Sequence, residues 1–170
     1  MVFLEDYEKE NYRMKYKTEV KKIVNKLIKK SFPILKNKRI FVCYFKSKDY
    51  SGIALWPLPF LRLLFINEDR RFNKEELTGL LAHELCHFET YEKRCWVKTV
   101  LLGTRYMISQ KFRKNEERMT DNLAIEKGYA KRLYKQRLFR WDSTDKNHKL
   151  KEVYMPPKQI KRYAIKNRKW

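Results

Sequence analysis

The sequence predicts an α+β fold, in which a few short strands pack against amphipathic helices. Apolar residues recur every three to four positions over 14–30 and 74–91, as they do on one face of a helix. The runs 40–45 and 61–66 are instead short, β-branched and aromatic, which is typical of strands. The chain has 170 residues, 43% of them hydrophobic, so it is long enough for one domain with a real core.

The first half of the chain is predicted to form a helix followed by strands. In the helix over 14–30, lysines separate the apolar positions, which are Tyr16, Val20, Ile23, Val24, Leu27 and Ile28. Pro33 closes this helix. The run 40–45 is apolar on both faces, so we expect a strand that is covered on both sides. Prolines interrupt the stretch 57–59, and a strand resumes at 61–66 because proline cannot sit inside a central ladder.

The next predicted helix carries a clear start signal. Asn73 supplies a capping side chain, and Glu76, three residues later, completes a capping box. The apolar face of this helix runs to about Tyr91. Part of 94–112 is predicted to be helical as well, with an interruption at Gly103.

A further predicted helix begins at Asn115 and ends at Gly128, a residue type that commonly terminates helices. The segment from there to residue 140 is compatible with another basic helix. The composition then shifts, because residues 146–170 contain nine Lys or Arg and a single acid. We therefore divide the chain into a domain at 1–140 and a basic C-terminal extension at 141–170.

The formal net charge of +21 has two interpretations. Clustered Lys and Arg gain affinity for phosphates by releasing counterions, so nucleic acid is a candidate partner of the basic extension. Alternatively, the charge reflects a Lys-rich composition resembling that of thermophile proteins. Because Glu is much scarcer than Lys here, thermophily alone leaves part of the imbalance unexplained.

The cysteines and the N-terminus favour a cytoplasmic protein. Three cysteines without a Cys-x-x-Cys pair suit reduced thiols better than a disulfide framework. Residues 1–11 are acidic where a signal peptide would be cationic and then apolar. The longest apolar stretch, 53–66, contains two prolines and Arg62 and is too short to span a bilayer. We therefore expect no membrane partner.

The strongest chemical signal is the run His83-Glu84-Leu85-Cys86-His87, an H-E-x-x-H motif. Residues four apart lie on one face of a helix with Cβ atoms about 5–6 Å apart. Both imidazoles can therefore reach one zinc ion at about 2.0–2.1 Å. Glu84 lies one step around the helix, where it can act as general base on a zinc-bound water. Cys86 points in another direction and is expected to be a small core residue.

A third ligand is needed, and Glu117 is the best candidate. Lys93 occupies the position where a further histidine would indicate a metzincin, and His148 lies in a polar run. Glu117 and Asp121 are again four apart, so they project from one helix face. A carboxylate at 117 can bind zinc, and Asp121 can accept a hydrogen bond from the distal nitrogen of a histidine ligand. Two histidines and one carboxylate leave a fourth position open, as in catalytic sites.

H-E-x-x-H followed thirty residues later by E-x-x-x-D resembles the gluzincin metallopeptidases. The stretches 80–85 and 121–129 are most similar to the minimal archaeal members, the minigluzincins, and the resemblance covers roughly 15–130. It implies a small antiparallel or mixed three-stranded sheet, backed by the N-terminal helix and followed by an active-site helix and a glutamate helix. On this basis 1–140 is a metallopeptidase domain. The sequence departs from the pattern in its basic extension and at Glu89, where such enzymes often carry an apolar residue.

The resemblance implies a zinc-dependent endopeptidase that acts on a peptide or protein substrate. Glu84 then takes a proton from the zinc-bound water and delivers it to the leaving amine. Tyr106 is the first candidate for an extra donor to the oxyanion, followed by Tyr91 and His148. The strand at 61–66 matches the upper-rim strand that aligns an extended peptide by main-chain pairing.

Two other functions stay open. A protease of the SprT-like type would hold nucleic acid with its basic extension and cut nearby proteins, although such enzymes use a third histidine as ligand. A non-catalytic module stabilised by zinc would bind nucleic acid and hydrolyse nothing. In the enzyme, a terminal segment lying along the upper-rim strand would block the zinc and make the protein latent.

Overall fold

The fold is a three-stranded mixed sheet packed against helices, which confirms the predicted α+β class. A computed structural model describes residues 2–143 and 150–170. The strands in chain order are β1 (Ile40–Phe45), β2 (Gly52–Leu58) and β3 (Leu61–Asn67). The helices are α1 (Val2–Ser31), α2 (Lys74–Arg94), α3 (Trp96–Ile108), α4 (Gln110–Ala124), α5 (Ala130–Ser143), α6 (Leu150–Val153) and α7 (Pro157–Lys166).

The sheet has the order β1-β3-β2, with β3 at its centre. β3 runs parallel to β1, with Arg62 opposite Ile40, and antiparallel to β2, with Ile66 opposite Gly52. The prediction that 61–66 is an upper-rim strand is therefore wrong, because both edges of β3 are already paired. The strands that present a free edge of the sheet are β1 and β2.

The core lies between one face of the sheet and the helices. Leu64 and Ile66 of β3 are fully buried on this face, together with the apolar stripe of α1. The Tyr44 hydroxyl of β1 donates to the Lys17 carbonyl of α1 at 3.2 Å, so the N-terminal helix backs the sheet as expected. β1 is not covered on both sides as predicted: it is an edge strand, and Phe41 is exposed.

The predicted start of α2 is confirmed in detail. The Asn73 side chain accepts hydrogen bonds from the backbone N–H groups of Glu75 at 2.9 Å and Glu76 at 3.0 Å. The Glu76 carboxylate accepts from the Asn73 N–H at 2.9 Å, which completes the capping box. This cap fixes where the helix begins, and so which residues face the core.

The predicted helix start at Asn115 is wrong, because α4 begins five residues earlier. Ser109 is extended, and its side chain accepts a hydrogen bond from the Phe112 N–H at 3.3 Å, which separates α4 from α3. Gly128 does interrupt the helical path, with a φ of +85°, and α5 follows it directly.

The described part of the C-terminal extension packs onto the domain. α7 lies against α5, and α6 lies against α4. Met155, Ile160 and Ala164 belong to the main hydrophobic core. Residue 140, where we divided the chain, lies within α5. In the described ranges, no helix has the length and apolar character needed to cross a membrane.

Candidate metal centre

Two imidazoles project from consecutive turns of α2 into the interior. His83 and His87 are both buried, and their Nε2 atoms lie 3.3 Å apart. α2 presents them because its apolar residues pack against the sheet and α5, which turns the motif toward α4. The leucines and Phe88 of this helix are themselves buried in the core.

Glu117 of α4 completes the cluster, as the sequence predicted. Its Oε2 lies 3.0 Å from Nε2 of His83 and 3.5 Å from Nε2 of His87. Ligand atoms around a tetrahedral zinc at about 2.0–2.1 Å are separated by roughly 3.3 Å. The three distances match the edges of such a tetrahedron, so this buried His-His-Glu group can hold a metal ion.

Asp121 lies behind His83, at the position expected for an orienting carboxylate. Its Oδ1 is 2.9 Å from Nδ1 of His83 and accepts a hydrogen bond from Nη2 of Arg137 at 2.7 Å. Its Oδ2 accepts from the Met155 backbone N–H at 3.0 Å. A carboxylate facing Nδ1 favours the tautomer with hydrogen on Nδ1, so that Nε2 offers its lone pair to a metal.

The Thr120 hydroxyl favours the same tautomer in His87, with hydrogen on Nδ1. Thr120 donates its one hydrogen to the Glu116 carbonyl at 2.9 Å. Its oxygen therefore faces Nδ1 of His87, 3.4 Å away, as an acceptor. Both Nε2 atoms point toward each other and toward Glu117, an arrangement that a cation between them stabilises.

The charges of the cluster are strongly coupled. Burial alone would lower the pKa of His83, but the carboxylates of Asp121 and Glu117 raise that pKa to about 9. Burial opposes ionisation of Glu117 too, yet His87 and His83 hold the pKa of its carboxyl well below the usual range. The site therefore keeps its carboxylate ionised, as a metal ligand must be.

Glu84 is buried beside the histidines without being part of the ligand triangle. Burial raises the pKa of its carboxyl, against the opposing effect of His83 and His87. Its side chain lies against Gly52, the first residue of β2: a Cβ at Gly52 would be only 2.8 Å from Oε1 of Glu84. The absence of a side chain at Gly52 thus leaves room for Glu84.

Three tyrosines surround the cluster. The Tyr106 hydroxyl donates to Oε1 of Glu117, and the Tyr91 ring lies 5.9 Å from that of His87. The Tyr154 ring lies 5.9 Å from the His83 ring. Burial and the nearby Glu117 carboxylate raise the pKa of all three hydroxyls, so they remain protonated hydrogen-bond donors. His148, the last predicted donor, falls outside the described residues.

Sequence reasoning missed Arg137 and Tyr154. Arg137 is fully buried against Asp121, yet in the sequence it is one cation among many in a basic helix. Tyr154 lies between the guanidinium groups of Arg137 and Arg140, 4.4 and 4.3 Å from its ring centroid. The one available signal was an aromatic residue within a basic tail.

Comparisons with known proteins add nothing to this geometry, since no family model, no curated protein and no solved structure matches the chain.

Proposed function

We propose that the protein is a zinc-dependent endopeptidase, with His83, His87 and Glu117 as metal ligands and Glu84 as general base. The observation that carries this proposal is the tetrahedral spacing of the three ligand atoms, with a buried carboxylate next to them. Zinc fits two imidazoles and one carboxylate better than magnesium or calcium, which prefer all-oxygen sites. The resemblance to minigluzincins supports the same reading.

The residues divide the work of peptide hydrolysis. When bound, zinc supplies a Lewis acid that polarises the scissile carbonyl and lowers the pKa of a water. Glu84 accepts the proton of the attacking water and passes it to the leaving amine. Burial raises the pKa of the Glu84 carboxyl, which helps it to hold the proton between the two transfers. Tyr106 is our candidate for stabilising the oxyanion, a role in which its hydroxyl would turn its single hydrogen from Oε1 of Glu117 to the oxyanion.

The substrate would be an extended peptide that pairs with β2. This strand is an edge of the sheet and begins at Gly52, against Glu84. A peptide added to that edge by main-chain hydrogen bonds would run beside the general base. β2 thus takes the place that we had assigned to 61–66.

Metal analysis and one substitution test the proposal. The purified protein should contain about one zinc per chain, and Glu84→Gln should retain it while hydrolysis of a fluorogenic peptide library falls by at least ~100-fold. Glu75→Gln, at a partly exposed position in the first turn of the same helix, is the matched control and should remain active. Undiminished hydrolysis by Glu84→Gln would remove Glu84 from this role. Zinc without any hydrolysis would favour the non-catalytic module.

A nucleic-acid partner is a second candidate, favoured by the outer face of α7. The cations of α7 and of the residues that follow it are exposed. Lys158, Lys161, Arg162 and Lys166 belong to α7, and Arg168 and Lys169 follow it. If this face binds DNA, affinity should fall steeply with salt, and the triple change of Lys158, Lys161 and Lys166 to Gln should reduce that salt dependence. Equal binding by the triple variant would exclude α7 as the contact.

A further inference from the structure

α3 turns an apolar face toward solvent. None of its residues is fully buried, and five of its apolar side chains are between 41% and 86% exposed: Val97, Val100, Leu101, Met107 and Ile108. The positions 97, 101 and 108 recur at helical spacing, so these side chains form one stripe, which we call the α3 face. An amphipathic helix normally buries such a stripe.

The neighbouring strand also exposes apolar side chains. β2 lies beside α3, and the exposed Leu55, Leu58 and Phe60 belong to β2 and the turn that follows it. Phe60 is 73% exposed. Exposed apolar side chains that form a stripe, as on α3, mark an interaction surface, whereas isolated ones are ordinary.

The charged residues of α3 and of the start of α4 are all cationic. From Trp96 to Asn115 the sequence contains five Lys or Arg and no acid. Lys98, Arg105 and Lys111 are exposed, and within the described residues none of the three forms an ion pair. An apolar centre with a positive border therefore complements a surface that is apolar inside and negative outside.

We propose that the α3 face binds the surface of an anionic lipid bilayer. The apolar stripe would enter the boundary between headgroups and acyl chains, while the flanking cations contact phosphates. With 13 residues, α3 is about 20 Å long and lies in the interface without spanning it. From the sequence we expected no membrane partner, because no apolar stretch is long enough to span a bilayer. A helix that lies in the bilayer interface does not need that length.

Other partners fit this surface less well. Single-stranded nucleic acid rewards aromatic platforms, whereas the α3 face is aliphatic. A second copy would bring two positive borders together, in a chain whose formal charge is +21. Because the opposite side of α3 carries Tyr106, which touches Glu117, a bound membrane would lie next to the candidate metal centre.

Vesicle binding by the full-length protein tests the proposal. Vesicles of phosphatidylcholine mixed with phosphatidylglycerol should bind it, and part of the binding should survive high salt, because apolar insertion is not screened. The double variant Leu101→Ser, Ile108→Ser should bind at least ~tenfold more weakly. The matched control Ile34→Ser, Ile165→Ser removes exposed isoleucines elsewhere and should bind like the unchanged protein.

The cationic border has its own test at low salt. Lys98→Gln with Arg105→Gln should weaken binding by roughly fivefold for each charge removed. Lys29→Gln with Lys30→Gln, a charge-matched change at exposed positions of α1, should have a clearly smaller effect.

Three results would overturn the proposal. Binding that vanishes completely at high salt would mean that charge alone attracts the vesicles. Equal binding by the Leu101, Ile108 variant and its control would remove the α3 face from the contact. A dimer in light scattering that this variant dissociates, without vesicle binding, would assign the face to a second copy of the chain. Thermal unfolding and circular dichroism verify that each variant folds.

Discussion

Asp121 connects parts of the chain that are distant in sequence. Its carboxylate contacts His83 of α2, Arg137 of α5 and the Met155 N–H that precedes α7. A buried charge is tolerated only when it is paired and hydrogen-bonded, and these partners meet that requirement. The same carboxylate therefore orients a candidate metal ligand and holds three elements together.

Replacing Asp121 should weaken the metal site while its ligands remain. Asp121→Asn removes the charge that holds the His83 tautomer, so we expect metal affinity to fall by about 10–100-fold. Competition with a chelator measures this change. Asp69→Asn alters an exposed aspartate and should leave affinity unchanged. Unaltered affinity in Asp121→Asn would show that Asp121 does not support the ligand.

Gly52 provides a test of the position of Glu84. A methyl group at 52 would lie 2.8 Å from Oε1 and 3.1 Å from Cδ of Glu84, so Gly52→Ala should displace the carboxylate. Because a misplaced catalytic group can cost about 100-fold in rate, we expect kcat to fall by that order while zinc content stays the same. Gly103→Ala adds the same methyl group in open space and should stay active. Full activity of Gly52→Ala would argue against Glu84 as the general base.

At the scale of elements, α2 and α5 approach each other at backbone distance. The contact is at Gly79, where a Cβ would lie 2.3 Å from the carbonyl oxygen of Arg132. Such a close approach leaves room only for glycine. It also sets how far α5, with Arg137, lies from the helix that carries the histidines.

Alanine at Gly79 should force these helices apart. Overpacking of this kind costs about 1–3 kcal/mol, and the rigid backbone of α5 places the expected loss at the upper end. Urea denaturation measures the free energy of unfolding. Gly103→Ala, inside α3 with no neighbour within 4 Å, should be neutral or stabilising by up to about 1 kcal/mol. Equal stability of the two variants would contradict the close approach.

Glu89 shows how a buried charge on α2 is accommodated. This buried glutamate pairs with Lys93 on its own helix and with Lys127, each at 2.7 Å. Lys127 also donates to the Ser31 carbonyl at the end of α1, at 2.8 Å. Glu89 therefore provides an ionic link from α2 to the glycine-containing turn before α5.

At the scale of the whole molecule, the C-terminal segment is a structural part of the domain. Ile160 is completely buried, whereas Ile165, five residues later on the same helix, is 54% exposed. Ile160→Ala should lower the free energy of unfolding by about 2–5 kcal/mol, because it leaves a cavity in the core. Ile165→Ala should change it by no more than about 0.5 kcal/mol. Similar small losses of unfolding free energy in both variants would show that the C-terminal segment is an appendage that does not stabilise the domain.

Local patterns predicted most of the helices and the three residues of the candidate metal centre. The capping box at Asn73 depends on neighbours three residues apart, and the shared face of His83 and His87 depends on a spacing of four. Glu117 was selected by its spacing from Asp121 and by the family resemblance. Fold topology was harder: β2 was obscured by Pro57, which is tolerated because β2 is an edge strand with a bulge between Leu55 and Leu58.

Helical spacing and capping are readable from residues because they depend on chain geometry over a single turn. The positions of Gly52 beside Glu84, of Arg137 beneath Asp121 and of Tyr154 beside His83 are not readable in this way. Each joins segments that are 16 to 71 residues apart, and their approach depends on how the sheet, α2, α4 and α5 pack together. The exposure of the α3 face also depends on tertiary packing. An apolar stripe alone predicts a buried helix face. Only the positions of the neighbouring elements show that nothing in the described chain covers this stripe.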